Sequence, residues 1–126
     1  MYILGINAYH PDSSACLLKD GIVVCAIEEE RIRRIKHWSG FPSEAIKFCL
    51  EDQNLTIKQV DYITISRDPK KNIHKKIFHA LKYSINPFNL WNRVLNSRKT
   101  SSVKSSLANL FQVSELDIKA KFYNIE

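Results

Sequence analysis

Three short apolar runs near the start of the chain limit its fold more than any other feature. They lie at 2–6, 14–19 and 22–27, and the dipeptide Asp20-Gly21 separates the last two. A two-residue turn of this kind joins antiparallel strands, because glycine accepts the positive φ that the turn demands. The first run is apolar on both faces and the third is rich in β-branched residues, as expected for strands. The sequence therefore predicts a meander of three antiparallel strands, with the first strand central in a sheet.

One helix and a fourth strand are predicted after the meander. Ser43 has the residue type of a helix N-cap, and the helix is expected over 44–52. Its inward face is expected to carry three residues at helical spacing: Ala45, Phe48 and Cys49. Thr56 and Gln59 have the spacing of a capping box for one short turn. The alternating run at 61–66 then predicts the fourth strand.

Positive charge is concentrated between Arg67 and Lys121. This segment holds 12 of the 19 Lys and Arg residues and 3 of the 13 acidic residues, although the whole chain has a net charge of +6. Helical spacing in three apolar sets predicts short helices here: Ile73, Ile77, Ala80 and Leu81; Leu90, Val94 and Leu95; Val103, Leu107, Leu110 and Phe111. The plan is thus an α/β domain with a β-β-β-α-β core over 1–66, a basic helical insertion over 67–119 and a strand over 120–126.

Composition excludes several classes of protein. The chain of 126 residues is 44% hydrophobic and 25% charged, as in a globular domain, and its 3 glycines and 4 prolines do not suit a collagen or a linker. No run approaches the roughly 18 apolar residues of a membrane span, so no membrane partner is expected. The N-terminus lacks the features of a signal peptide. Three cysteines without CxxC spacing indicate reduced thiols and a cytoplasmic protein.

Two groups of residues have side chains suited to chemistry. The first is the polar loop 10–14 after the first strand, which contains His10, Asp12, Ser13 and Ser14. Loops at the ends of central strands are where open α/β folds place ligands, and exposed amides and hydroxyls can hold phosphate oxygens. The alternative is a turn in which these side chains bond only to their own backbone.

The second group is the charged stretch 28–37, in which acids precede bases. Only one of Glu28 and Glu29 can face the loop, because neighbouring side chains at a strand end point to opposite sides. Arg31 and Lys36 are suited to clamp an anion. The alternative is a solvated helix start, in which the order of charges suits the helix dipole.

Together these motifs resemble the opening of one family, the nodulation-protein-type O-carbamoyltransferases, which includes antibiotic-tailoring enzymes. The resemblance rests on the ordered strings Ile3-Leu-Gly-Ile-Asn7, His10-Pro-Asp-Ser-Ser-Ala-Cys-Leu-Leu18, Asp20-Gly21, Ala26-Ile-Glu-Glu-Glu-Arg-Ile-Arg-Arg-Ile-Lys-His37 and Phe41-Pro42. It covers residues 2–66 well, and the basic insertion only as a variable helical region.

This resemblance implies an ATPase-like domain of the actin, sugar-kinase and Hsp70 superfold, which is ribonuclease H-like, present here in part. It also implies an enzyme that makes carbamoyl-adenylate from carbamoyl phosphate and ATP in a second domain. The carbamoyl group would then pass to a hydroxyl of a small acceptor, such as a sugar, an antibiotic or another natural product. A divalent metal is expected in the full-length enzyme.

Site residues follow from the same resemblance. His10 and Asp12 are expected to be catalytic, with Asp12 orienting or deprotonating the acceptor hydroxyl and either His10 or Ser13 bonding to the carbamoyl or phosphate group. The expected substrate- and phosphate-binding residues are Ser13, Ser14, Glu29, Arg31, Lys36 and His37. Lys36 and Arg31 would stabilise the charge of the leaving adenylate. The family usually has adjacent His and Asp in this loop, whereas Pro11 separates them here.

The family's metal ligands belong to a His-His-x-x-x-His-type motif that follows a strand corresponding to 121–126, so no metal ligand is expected within this chain. The chain is expected to be a fragment of about the first quarter of such an enzyme, with the rest of its own polypeptide as its partner. We expect no carbamoyl transfer by residues 1–126 alone, and turnover by the purified chain would contradict this.

Two other functions are compatible with the sequence. A sugar kinase or chaperone-type ATPase would keep the same fold, but it would need a glycine-rich phosphate loop after the first strand, and that loop is missing. A basic nucleic-acid-binding module would show binding that falls steeply with salt and that is lost when Lys70, Lys71, Lys75 and Lys76 are neutralised. Nucleic acid is ranked last, because the basic residues are not interleaved with aromatic residues in a known module.

Overall fold

The computed structural model describes residues 1–66 and 103–125. This part of the chain forms a five-stranded mixed sheet with the strand order β3-β2-β1-β4-β5. The strands are β1 (Tyr2–Asn7), β2 (Ser14–Lys19), β3 (Ile22–Glu28), β4 (Tyr62–Ile65) and β5 (Lys121–Asn124). The helices are α1 (Glu29–Arg33), α2 (Ser43–Asp52) and α3 (Val103–Phe111), and a 3₁₀ turn spans Ile57–Gln59.

The predicted meander is confirmed. β1 pairs antiparallel with β2, and β2 pairs antiparallel with β3. Asp20 and Gly21 form the turn with φ values of +52° and +85°, which match the positive angles that a tight hairpin needs. On its other side β1 pairs parallel with β4, and β4 pairs parallel with β5. The first strand is therefore central, as predicted.

The core lies on the face of the sheet that α2 covers. Fully or almost fully buried strand residues on this face alternate along their strands: Leu4, Ile6, Leu17 and Ile63. Helix α2 packs on β2 and β3, and the Cys49 thiol lies 3.7 Å from the carbonyl oxygen of Ala15. Helix α3 belongs to the same side, since Lys104 Nζ lies 6.0 Å from the ring centre of Phe122, which is paired with buried Ile63.

The opposite face carries a close approach between β1 and β2. A Cβ atom on Gly5 would lie 2.6 Å from Cys16 Sγ. Glycine at this position therefore leaves room for the Cys16 thiol where β1 and β2 pair. Burial raises the pKa of the Cys16 thiol, and likewise that of the Cys49 thiol. All three cysteines are free; Cys49 is buried, whereas Cys16 and Cys25 are only partly buried.

Two details of the predicted helix are wrong. Phe48 is 44% exposed, and Ile46 and Leu50 fill the core beside Ala45 and Cys49. The buried face of α2 therefore consists of Ala45, Ile46, Cys49 and Leu50. Ser43 is the first residue of α2 and not its cap, since Pro42 holds the cap position and makes no side-chain cap bond. The amide groups at this helix start are bonded by a distant carboxylate, described below.

The remaining sequence predictions fall into two groups. The capping box at Thr56 and Gln59, the fourth strand, the helix over 103–111 and the final strand are confirmed. The other helices predicted in the basic insertion lie outside the described residues. In the described part of the chain, no helix is both long enough and apolar enough to cross a bilayer.

Candidate functional site

The loop between β1 and β2 presents polar side chains to solvent. His10, Pro11 and Asp12 are exposed, whereas Ser13 is fully buried. Asp12 has a φ of +65°, an uncommon value for a residue with a side chain, and the amide of the Asn7 side chain donates to its carbonyl oxygen at 3.2 Å. The His10 ring contacts the neighbouring carbonyl of Pro11 through Nδ1 at 2.8 Å. The loop thus projects His10 and Asp12 outward from a buried anchor.

That anchor is Ser13, which ties the loop to residues 38–40. The Ser13 amide donates to the carbonyl oxygen of Trp38 at 3.0 Å. The Ser13 hydroxyl lies 2.9 Å from the carbonyl oxygen of His10 and 2.8 Å from that of Gly40, so its single proton is shared between local and distant backbone. The Tyr9 amide also donates to Gly40, at 3.2 Å. The segment after α1 therefore closes against the loop.

Asp12 and His37 meet directly. His37 Nδ1 lies 2.9 Å from Asp12 Oδ1, and the His37 amide donates to Glu30 Oε2 at 3.0 Å. The hydrogen bond with Asp12 is the main reason why the pKa of His37 is raised above its ordinary value of 6.5, and the negative charges of Asp12 and Glu30 add to this. The protonated imidazole is thus favoured beside the loop.

This pair predicts a pH effect that NMR can measure. The pKa of His37 is expected to lie above 6.5 and to fall towards that value in Asp12→Asn, whereas Asp20→Asn should leave it unchanged. Because the folded pKa is the higher one, the contact stabilises the fold fully below pH 6.5 and loses its effect as the pH rises through the folded pKa. A His37 resonance that titrates identically in wild type and Asp12→Asn would contradict the contact.

The same contact brings together donor atoms that divalent metals accept. One ligand-type atom from each of Asp12, Glu30 and His37 lies within 4.8 Å of the others. The set matches a divalent cation in chemistry, but the His37 nitrogen and the Glu30 oxygen are already used in the hydrogen bonds given above. We therefore derive no metal-dependent step from it.

Ser14 and Arg31 share a second region, a cavity of about 740 Å³ over the face of the sheet opposite α2. Its polar lining includes the side chains of Asn7, Glu28 and Ser66, and its floor includes Gly5 and Cys16. Arg31 is 71% exposed and its Nε lies 3.4 Å from Glu28 Oε2. Lys36 is exposed and adjoins His37 in the chain. The structure thus groups Ser14 with Arg31, and Asp12 with His37.

Glu29 lies neither at the contact between Asp12 and His37 nor in the lining of the cavity. Its carboxylate is fully buried and accepts hydrogen bonds from the amides of Glu44, at 3.2 Å, and Ala45, at 2.7 Å, at the start of α2. Arg33 Nε lies 2.5 Å from its Oε1. These bonds account for both carboxylate oxygens within the fold.

The sequence pattern did not single out Asn7 or Glu30. Asn7 ends β1, donates to the carbonyl of Asp12 and accepts a hydrogen bond from the hydroxyl of Ser66 at 2.8 Å. Glu30 follows the strand end by two residues and reaches the His37 amide. The position of Asn7 at the carboxyl end of a central strand was a usable signal, because that edge of the sheet commonly carries ligand contacts.

The fold and the site together define a class of protein. It is a mixed α/β domain in which an anchored polar loop follows the central strand. The sequence matches the model of the family described as Carbamoyltransferase N-terminus over residues 2–107, and the chain belongs to this family.

The chain is also similar to parts of longer proteins. The uncharacterized protein sll1178 of Synechocystis sp. is 47% identical over 68 residues, which are 54% of this chain and 11% of that protein. The nodulation protein NolNO of Sinorhizobium fredii is 40% identical over 57 residues, which are 45% of this chain and 8% of that protein. The matched part of this chain thus spans about a tenth of the length of these relatives. Among solved structures, YeaZ from Pseudomonas aeruginosa aligns with 99% of this chain and 42% of its own, with a TM-score of 0.49 and 13% identity.

Proposed function

We propose that this chain is the N-terminal part of an enzyme that transfers a carbamoyl group from carbamoyl phosphate, through carbamoyl-adenylate made with ATP, to a hydroxyl of a small acceptor. Membership of the carbamoyltransferase family and the match to NolNO support it. The observation that carries the proposal is the contact between Asp12 and His37, since it joins the loop motif and the charged motif at one place.

The fold supports an ATPase-like domain of the actin and Hsp70 type. The strand order places two antiparallel strands on one side of β1 and two parallel strands on the other. This arrangement suits the β-β-β-α-β plan expected for that superfold. The three free cysteines suit a cytoplasmic location.

The site supports the following chemistry for the chain's own residues. One oxygen of Asp12 bonds to His37, which leaves its other oxygen for the acceptor hydroxyl. As the hydroxyl oxygen bonds to the carbamoyl carbon, its proton passes to Asp12, and the bond between the carbamoyl carbon and the phosphate oxygen breaks to release AMP. Arg31 and Lys36 supply positive charge for the leaving phosphate.

An assay of the whole enzyme with isotope-labelled substrates tests this proposal. The purified enzyme receives ¹⁴C-labelled carbamoyl phosphate, ATP and a panel of polyhydroxylated natural products. We expect ATP-dependent label in the acceptor and release of AMP. Transfer of the γ-phosphate of ³²P-labelled ATP to the acceptor, with no ¹⁴C incorporated, would instead identify a kinase and overturn the proposal.

A further inference from the structure

Glu29 is a buried carboxylate whose main chain and side chain bond to different parts of the fold. Its amide donates to the carbonyl oxygen of Ser13 at 2.9 Å, at the anchor of the β1–β2 loop. Its side-chain carboxylate accepts hydrogen bonds from the backbone amides of Glu44 and Ala45. These amides lie in the first turn of α2, where backbone N–H groups have no acceptor within the helix. One residue thus bonds to both the loop and the second helix.

The negative charge of Glu29 is balanced by Arg33. A buried carboxylate is costly unless a partner and hydrogen bonds replace water. Arg33 supplies the partner through Nε, and its Nη2 donates to the Ser43 hydroxyl at 2.7 Å. Ser43 also lies 3.4 Å from Glu29 Oε1, so the three side chains contact one another, and Arg33 Nη2 lies a further 3.8 Å from Glu44 Oε1.

Arg33 extends this group to the segment that holds the loop. Its guanidinium lies over the Trp38 ring, 4.6 Å from the ring centre. The Trp38 carbonyl is the acceptor for the Ser13 amide. A path of direct contacts therefore runs from the start of α2 through Glu29, Arg33 and Trp38 to Ser13, one residue from Asp12.

We infer that Glu29 is a positioning residue, which couples the start of α2 to the β1–β2 loop and so fixes where Asp12 meets His37. It acts through Arg33 and Ser13 and touches neither Asp12 nor His37 in the described contacts. The coupling stands without the proposed function, and only the catalytic meaning of the loop rests on that function.

Amide hydrogen exchange and NMR of the 126-residue chain test this coupling. In Glu29→Ala, the amides of Glu44 and Ala45 are expected to exchange about tenfold faster because their acceptor is lost. The amides of Tyr9 and Ser13 should also exchange faster, and the His37 Nδ1 resonance should move towards its position in Asp12→Asn. Glu29→Gln keeps an acceptor for α2 but loses the charge that holds Arg33. It should restore slow exchange at Ala45 and leave Tyr9 and Ser13 fast.

Glu51→Ala is the matched control, since Glu51 is an exposed glutamate of α2, and it should change none of these signals. Faster exchange confined to Glu44 and Ala45, with Tyr9, Ser13 and His37 unchanged, would overturn the inference and leave Glu29 as a helix cap only. If neither Glu29 variant folds, Arg33→Ala removes the guanidinium that joins Glu29 to Trp38. Wild-type exchange at Tyr9 and Ser13 in that variant would overturn the inference as well. None of these measurements requires carbamoyl transfer, so the inference about Glu29 and the proposed function can be contradicted independently of each other.

Discussion

Replacing Asp12 with asparagine in the whole protein is expected to slow carbamoyl transfer by about 10²–10⁴-fold, the usual contribution of a general base. Asparagine keeps the size of the side chain and tolerates the positive φ of +65° at this position, so the loop should keep its shape. It can still accept a hydrogen bond from His37, but it cannot take a proton from the acceptor hydroxyl. Steady-state rates with labelled carbamoyl phosphate measure the effect, and we expect the loss mainly in kcat.

Asp20→Asn provides a matched control for this experiment. Asp20 is also an exposed aspartate with a positive φ, +52°, but it lies in the β2–β3 turn and pairs with the N-terminal amine at 2.7 Å. Its replacement should leave transfer unchanged. Full activity in Asp12→Asn would rule out Asp12 as the base. In that case His10, which projects from the same loop, becomes the residue to test.

The meander could be predicted because its signals are local. The apolar runs and the Asp20-Gly21 turn determine pairing between neighbours in the chain, and the strands begin and end within one residue of the prediction. Local signals were weaker for α2. Apolar residues occupy both possible inward stripes of this helix, so spacing alone did not show that Ile46 would be buried and Phe48 exposed.

The contacts within the candidate site depend on residues far apart in the chain. Asp12 and His37 are 25 residues apart, and Glu29 caps a helix that begins 14 residues later. Sequence reasoning recognised each motif separately and expected the loop and the charged stretch to close on each other. It could not assign partners, because α1 begins at Glu29 and helical geometry then decides which acid faces which neighbour. Glu29 turns inward to α2, whereas Glu30 reaches His37.

Removing the counter-charge of Glu29 should have the largest effect on stability. In Arg33→Met, the carboxylate of Glu29 stays fully buried without its cation, and breaking such a pair costs about 3–5 kcal/mol. Arg33 is itself 31% exposed, so water can partly replace it, and we expect a loss near the lower end, about 3 kcal/mol. Methionine keeps an unbranched apolar side chain but loses the cation beside Glu29, the guanidinium over the Trp38 ring and the hydrogen bond to Ser43, so the change reports on all three contacts together. Urea unfolding of the chain gives the free energy directly.

Arg31→Met is the control, because Arg31 lies two residues away and also pairs with a glutamate. Its side chain is 71% exposed and its partner Glu28 is 45% exposed, and a surface pair of this kind contributes about 0–1 kcal/mol. Adding Glu29→Gln to Arg33→Met should recover part of the stability lost, because no unpaired charge then remains buried. If Arg33→Met costs no more than Arg31→Met, water reaches Glu29 freely. The carboxylate would then not be held by Arg33, and the path from α2 to the loop would lack its central contact.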